Sequence, residues 1–182
     1  MVIREPEKNR YAFSKTQVPT IHSQIGNVSH ADNVYTLNAI DKYAGICMGK
    51  LPCTCRISIS FSYDSGSGEF GVLLRTDEQL ENGYFIRFEP NYRRVVLDIH
   101  PRAGDIPHQV WSERFLSLEK GMHKLAVILD DTAACAYLDD KVALSFRMYH
   151  QGDMWGLFSQ NPDVSFQNIT VNKIASRRCA KA

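Results

Sequence analysis

Apolar and polar side chains alternate with a period of two through much of this chain, most strictly at residues 56–63, Arg-Ile-Ser-Ile-Ser-Phe-Ser-Tyr. In an extended strand successive side chains point to opposite faces, so Ile57, Ile59, Phe61 and Tyr63 would line one face and the serines the other. The same texture returns at residues 70–76, 83–89, 95–100, 124–129, 133–138, 142–149 and 164–171. Turn-forming residues separate these runs: Asp64-Ser65-Gly66-Ser67-Gly68, Glu81-Asn82-Gly83, Pro90-Asn91-Tyr92, Asp130-Asp131-Thr132 and Asp139-Asp140. No segment of ten or more residues carries a helical apolar stripe, and residues 117–122 offer at most one helical turn. Strands joined by short turns pair as antiparallel hairpins, and their apolar faces need a second sheet to cover them. The expected fold is an all-β, antiparallel two-sheet sandwich of the jelly-roll type.

At 182 residues the chain suffices for one core. Residues 21–175 form the expected sandwich, residues 1–20 a linker or a peripheral strand, and residues 176–182 a polar, flexible tail. A formal net charge of +1 gives no pull toward phosphate backbones or anionic lipid, so neither nucleic acid nor membrane is an expected partner. The N-terminal residues lack the apolar core of a secretion signal, and the five cysteines are an odd number without disulfide-framework spacing. They read as reduced, mostly apolar residues, which leans toward a cytoplasmic setting.

Three neighbouring strands bring charge into apolar runs: Gly71-Val72-Leu73-Leu74-Arg75-Thr76-Asp77, Asn82-Gly83-Tyr84-Phe85-Ile86-Arg87-Phe88-Glu89-Pro90 and Arg94-Val95-Val96-Leu97-Asp98. If Tyr84, Ile86 and Phe88 face the core, Phe85, Arg87 and Glu89 share the other face, with Arg75 and Asp98 beside them. Guanidinium and carboxylate groups next to aromatic rings suit a sugar, since they bond its hydroxyls while a ring stacks on its apolar face. The pattern fits a solvated cross-strand ion-pair ladder at least as well, and by itself favours it. The candidate ligand-binding residues are Arg75, Asp77, Tyr84, Arg87, Glu89 and Asp98.

Other chemistry finds less support. The pairs Asp130-Asp131 and Asp139-Asp140 fall at turns, and Glu78, Glu89 and Asp98 have no spacing that assigns glycosidase acid and base roles. The loop at residues 64–69 has oxygens for calcium, yet too few carboxylates for a dedicated site. The six histidines lack metal-ligand spacing and read as surface or loop residues, so neither metal nor cofactor is expected. Trp155, inside an apolar run, reads as core or rim packing rather than an exposed platform.

The order of these motifs resembles the C-terminal β-sandwich module of glycoside hydrolase family 32, the β-fructosidases, levanases and invertases. The similarity continues through Leu125-Ala126-Val127-Ile128-Leu129-Asp130, Ala136-Tyr137-Leu138-Asp139-Asp140-Lys141, Gly156-Leu157-Phe158 and Phe166-Gln167-Asn168-Ile169, covering residues 43–171. Such a resemblance implies a concanavalin A-like accessory module that binds fructan or a fructose-containing oligosaccharide, or one that packs on a catalytic propeller domain of the same protein. The propeller motifs Asn-Asp-Pro-Asn, Arg-Asp-Pro and Glu-Cys are absent from this sequence, so no catalytic residue is carried over.

Overall fold

The alternation resolves into two stacked antiparallel sheets in a computed structural model that describes residues 13–40, 42–63, 68–100, 110–149 and 152–174. Most of the loop weighed for calcium (residues 64–67), the tail 176–182, His100 and Trp111 as side chains, His108, His150 and Cys179 lie outside the described residues. The strands are β1 Phe13–Gln17, β2 Ser23–Ile25, β3 Asn27–Ala31, β4 Val34–Asn38, β5 Tyr43–Lys50, β6 Thr54–Tyr63, β7 Glu69–Thr76, β8 Gly83–Glu89, β9 Arg94–His100, β10 Val110–Phe115, β11 Gly121–Asp130, β12 Ala133–Leu138, β13 Lys141–Arg147, β14 Met154–Gln160 and β15 Val164–Ile174. A 3-10 turn, Pro90–Tyr92, joins β8 to β9, and residues 117–120 contain no helical turn.

One sheet runs β13-β12-β11-β6-β15-β4-β3, with β1 also paired to β15. The other runs β10-β9-β8-β7-β14-β5-β2. Hairpin turns use Asp and Asn in the left-handed region, where their short polar side chains tolerate positive φ: Asp32 and Asn33 between β3 and β4, and Asp139 and Asp140 between β12 and β13. The inner faces meet around Phe61, whose ring centroid lies 5.4 Å from Phe70, 5.2 Å from Phe88 and 6.3 Å from Phe166. Trp155 is fully buried in this core, as its apolar run implies.

Two expectations change. His123 is a core-facing strand residue rather than a surface histidine. Its Nδ1 lies 2.8 Å from Asp139 Oδ2 and its Nε2 2.7 Å from the Glu119 carbonyl, so both ring nitrogens are partnered while the ring packs on Phe61. The strand β8, expected to be half-solvated, is buried along its whole length, because its outer face is covered as well.

Candidate functional site

The outer face of the second sheet can be followed in register, row by row. One row runs Gly45, Phe158, Gly71, Arg87, Val96, Glu113 across six strands. The row beside it contains Cys47, Gly156, Leu73, Phe85 and Asp98. On the opposite flank, Tyr43 and Glu69 both pair with Gln160, while Glu89 and Phe115 both pair with Arg94. Gly71 places no side chain between Phe158 and Arg87, and it has no room for one: an added Cβ would lie 1.9 Å from the Ile86 carbonyl oxygen.

The loop at residues 77–82 folds back over this face. Asp77 holds it, accepting a hydrogen bond from the Glu81 backbone N–H at 2.9 Å and another from the Asn82 amide. Leu80, at φ 59°, is pressed into a notch left by Gly45 and Gly156, where added Cβ atoms would approach its methyls to 2.8 Å. With Cys47, Leu73, Phe85, Met154, Phe158 and Tyr43 it forms a second apolar cluster on the outside of the sheet. The loop is tied to β2 by Ser23 Oγ, which donates to the Glu78 carbonyl at 3.0 Å, and to the residue just before that strand, His22, 3.3 Å from the Glu78 carboxylate.

Between this loop and the charged rows opens a cleft of about 660 Å³, within the size range of small-molecule sites. Tyr43, Phe85, Phe158 and Leu80 supply its apolar wall, and Arg87, Glu69, Gln79, Glu81, Gln160 and Asn161 its polar one. Arg87 is nearly buried and is held from three directions. Its Nη1 lies 3.2 Å from Glu69 Oε2 and 3.5 Å from Asp98 Oδ2, and its Nε lies 3.0 Å from Glu89 Oε1, an ion-pair distance at which the N–H is not aimed at the oxygen. Nη2 carries none of these contacts. Glu89 is shared with Arg94 at 2.5 Å, and Arg94 reaches Glu113 at 2.9 Å. This is an ion-pair network, but not the solvated ladder that the sequence pattern favours: Glu89 is 4% and Asp98 1% exposed.

Burial pushes the Glu69 carboxyl above the ordinary carboxylate range, with Arg87 opposing the rise and Glu89 and Asp98 adding to it. Burial, with smaller contributions from Asp77 and Glu69, also raises the Tyr43 hydroxyl, which therefore stays protonated. That hydroxyl is buried and has no hydrogen-bond partner among the described residues.

The six sequence candidates separate. Arg87, Glu89 and Asp98 come together on the outer face. Asp77 shapes the cleft from behind, its carboxylate spent on the loop. Tyr84 turns into the core, where its hydroxyl accepts the Tyr149 backbone N–H at 2.6 Å, so it does not reach the cleft. Arg75, buried at a positive φ of 55°, lies near enough to Cys55 on the opposing sheet to oppose the burial that lifts that thiol to about 12. In the observed register Gly71, four residues back along β7, is the partner of Arg87, and the kink at Arg75, where β7 slips against β14, breaks the alternation as well. Sequence reading missed Tyr43, Glu69, Phe158 and Leu80. The visible signal for Phe158 was its alternation with Trp155 and Leu157. Among the described residues, no group of three or more His, Cys, Asp or Glu side chains is arranged to hold a metal ion, and Cys47, Cys53, Cys55 and Cys135 are free thiols.

No curated protein matches this chain. Among solved structures, the carbohydrate binding module CBM66 from Bacillus subtilis is similar with a TM-score of 0.69 at 14% identity, over 84% of this chain and 97% of that one. The β-fructofuranosidase of Aspergillus kawachii, complexed with glycerol, gives 0.59 at 13% identity over 82% of this chain, which spans 27% of that enzyme. The carbohydrate recognition domain of Emp47p gives 0.58 at 12% identity, over 94% of this chain and all of that one. At such identities these likenesses concern the fold. The family model of the glycosyl hydrolases family 32 C-terminal domain matches residues 24–173, most of the chain, and the protein therefore belongs to that family.

Proposed function

We propose that this chain is a non-catalytic carbohydrate-binding module that takes a neutral, fructose-containing glycan in the cleft between Tyr43, Phe85 and Phe158 and the Arg87–Glu69 pair. The observation that carries the reading is the nearly buried Arg87, fixed by three carboxylates at the wall of a cleft whose other wall is aromatic. A pre-positioned guanidinium and carboxylate bond sugar hydroxyls without paying to order themselves on binding, and a ring receives the apolar sugar face. The network sets four carboxylates, Glu69, Glu89, Asp98 and Glu113, against two guanidinium groups, Arg87 and Arg94, which disfavours an anionic sugar. The carbohydrate-binding module and β-fructofuranosidase among its structural likenesses, together with family membership, support a fructan ligand.

Calorimetry with fructose, sucrose, inulin and levan tests this, with Arg87→Lys alongside. Binding of at least one of them, weakened by about tenfold or more in Arg87→Lys because the planar fork is lost, is the expected result. No heat with any of the four would overturn the reading.

The second reading, an assembly module that packs on a catalytic propeller without binding sugar, draws on the way this chain matches only about a quarter of the fructofuranosidase. Protection of Tyr43, Phe85 and Phe158 by a covering domain in the full-length protein would favour it.

A further inference from the structure

We propose that the module binds an oligosaccharide across two adjoining clefts, with Tyr92 as the stacking platform for the second sugar unit; this rests on the carbohydrate reading above and extends it to chain length. A second cleft of about 560 Å³ is lined by Gly68, Glu69, Arg87, Glu89, Asn91, Tyr92 and Arg94. It shares Gly68, Glu69 and Arg87 with the first, so the Arg87–Glu69 pair is the common wall of both.

The far side of the second cleft is built by the 3-10 turn between β8 and β9. Pro90 fixes its start, and Arg93, at φ 49°, closes it by donating its N–H to the Pro90 carbonyl at 3.0 Å. This short turn sets Tyr92 out from the sheet with 69% of its surface exposed. Tyr92 thus offers an open ring at the edge of a polar cleft, the arrangement on which a sugar's apolar face can stack. Arg94 stands over one face of the ring, its Cζ 5.1 Å from the centroid, and Arg94 is in turn held by Glu89 and Glu113. Arg94 thereby braces the ring, and most of the rest of its surface stays open beside the cleft that both residues line. Phe115, paired in register with Arg94 and 84% exposed, continues the apolar rim beyond it.

Polar groups in the shared wall are positioned to meet the linkage region between two sugars, and each cleft has its own aromatic surface, Phe85 and Phe158 in one and Tyr92 in the other. A monosaccharide satisfies only the first. Affinity should therefore rise with chain length, and the rise should depend on Tyr92.

Titration of the folded chain with fructose and with inulin- and levan-derived trisaccharides tests this. The expected result is that at least one trisaccharide binds about tenfold tighter than fructose, that Tyr92→Ala brings it down to the fructose level, and that Tyr92→Phe keeps the gain. Trisaccharides no tighter than fructose would overturn the two-cleft proposal while leaving the single-site reading standing. A gain that persists in Tyr92→Ala, or is lost equally in Tyr92→Phe, would overturn the stacking role of Tyr92. Absence of binding by every sugar would remove the carbohydrate reading itself and this proposal with it.

Discussion

Arg87 Nη1 lies 3.2 Å from Glu69 Oε2, joining two residues eighteen positions apart on adjacent strands at the wall that both clefts share. Because Glu89 and Asp98 converge on the same guanidinium, removing it takes away the cation that the three carboxylates share and leaves Glu89 to Arg94. Arg87→Ala is expected to cost about 3–5 kcal/mol of folding stability. Urea denaturation at pH 7 and pH 5 checks this. The deficit should be smaller at pH 5, because the Glu69 carboxyl, already raised by burial, loses the cation that opposes the rise and takes up its proton more readily.

Glu69 behaves differently, because its carboxyl titrates above the ordinary range in the folded protein. The folded state holds that proton more tightly than the unfolded chain does. Its contribution is therefore present at low pH and is lost as pH rises from the ordinary carboxylate range through the raised value. A Glu69→Gln protein does not titrate there. It should match or exceed the parent at pH 7, with a melting temperature higher by about 2 °C at most, and the two curves should converge toward pH 4. A melting series across that range gives the answer, and a Glu69→Gln protein clearly less stable at pH 7 would contradict it.

Tyr43 separates stability from binding. Its buried hydroxyl has no protein partner among the described residues, so Tyr43→Phe removes a desolvated polar atom and should leave stability unchanged or slightly higher. If the hydroxyl waits for a sugar oxygen, affinity falls by about fivefold. Paired urea and calorimetric titrations check both halves. An unchanged affinity would take Tyr43 out of the site.

Gly45 controls the loop that roofs the cleft. A Cβ there would come within 2.8 Å of Leu80 Cδ1 and 3.3 Å of the Tyr43 ring, both side-chain atoms rather than backbone. Gly45→Ala should lower stability by about 1–2 kcal/mol, an ordinary overpacking cost, while displacing Leu80 and weakening sugar binding more than stability. Methyl NMR shifts of Leu80 report the displacement directly.

Tyr84→Phe is the complementary control. Losing the hydroxyl strands the Tyr149 N–H it accepts, for about 1 kcal/mol of stability, and should not change sugar affinity because the side chain faces the core. A loss of affinity without loss of stability would place Tyr84 in the site after all.

Alternation and turn residues by themselves determined the sandwich: which side chains of β6 and β8 face inward, where Asp139 and Asp140 reverse the chain, and that Phe85, Arg87 and Glu89 share a face. These are local properties, written into the two-residue period of an extended backbone. Only the tertiary structure decided the site. It set β14 between β5 and β7, bringing Phe158 and Tyr43 beside Arg87 and Glu69 from distant parts of the chain. It folded the 77–82 loop over the apolar part of the outer face, around Leu73 and Phe85. It drew the charges of four strands into one network, with Glu89 and Asp98 buried in place of the expected solvated ladder. It also sent Arg75 and Tyr84 elsewhere, one through strand register and a backbone kink and the other into the core. Strand order and loop packing depend on which surfaces bury each other, and a single strand's pattern carries no record of its neighbours.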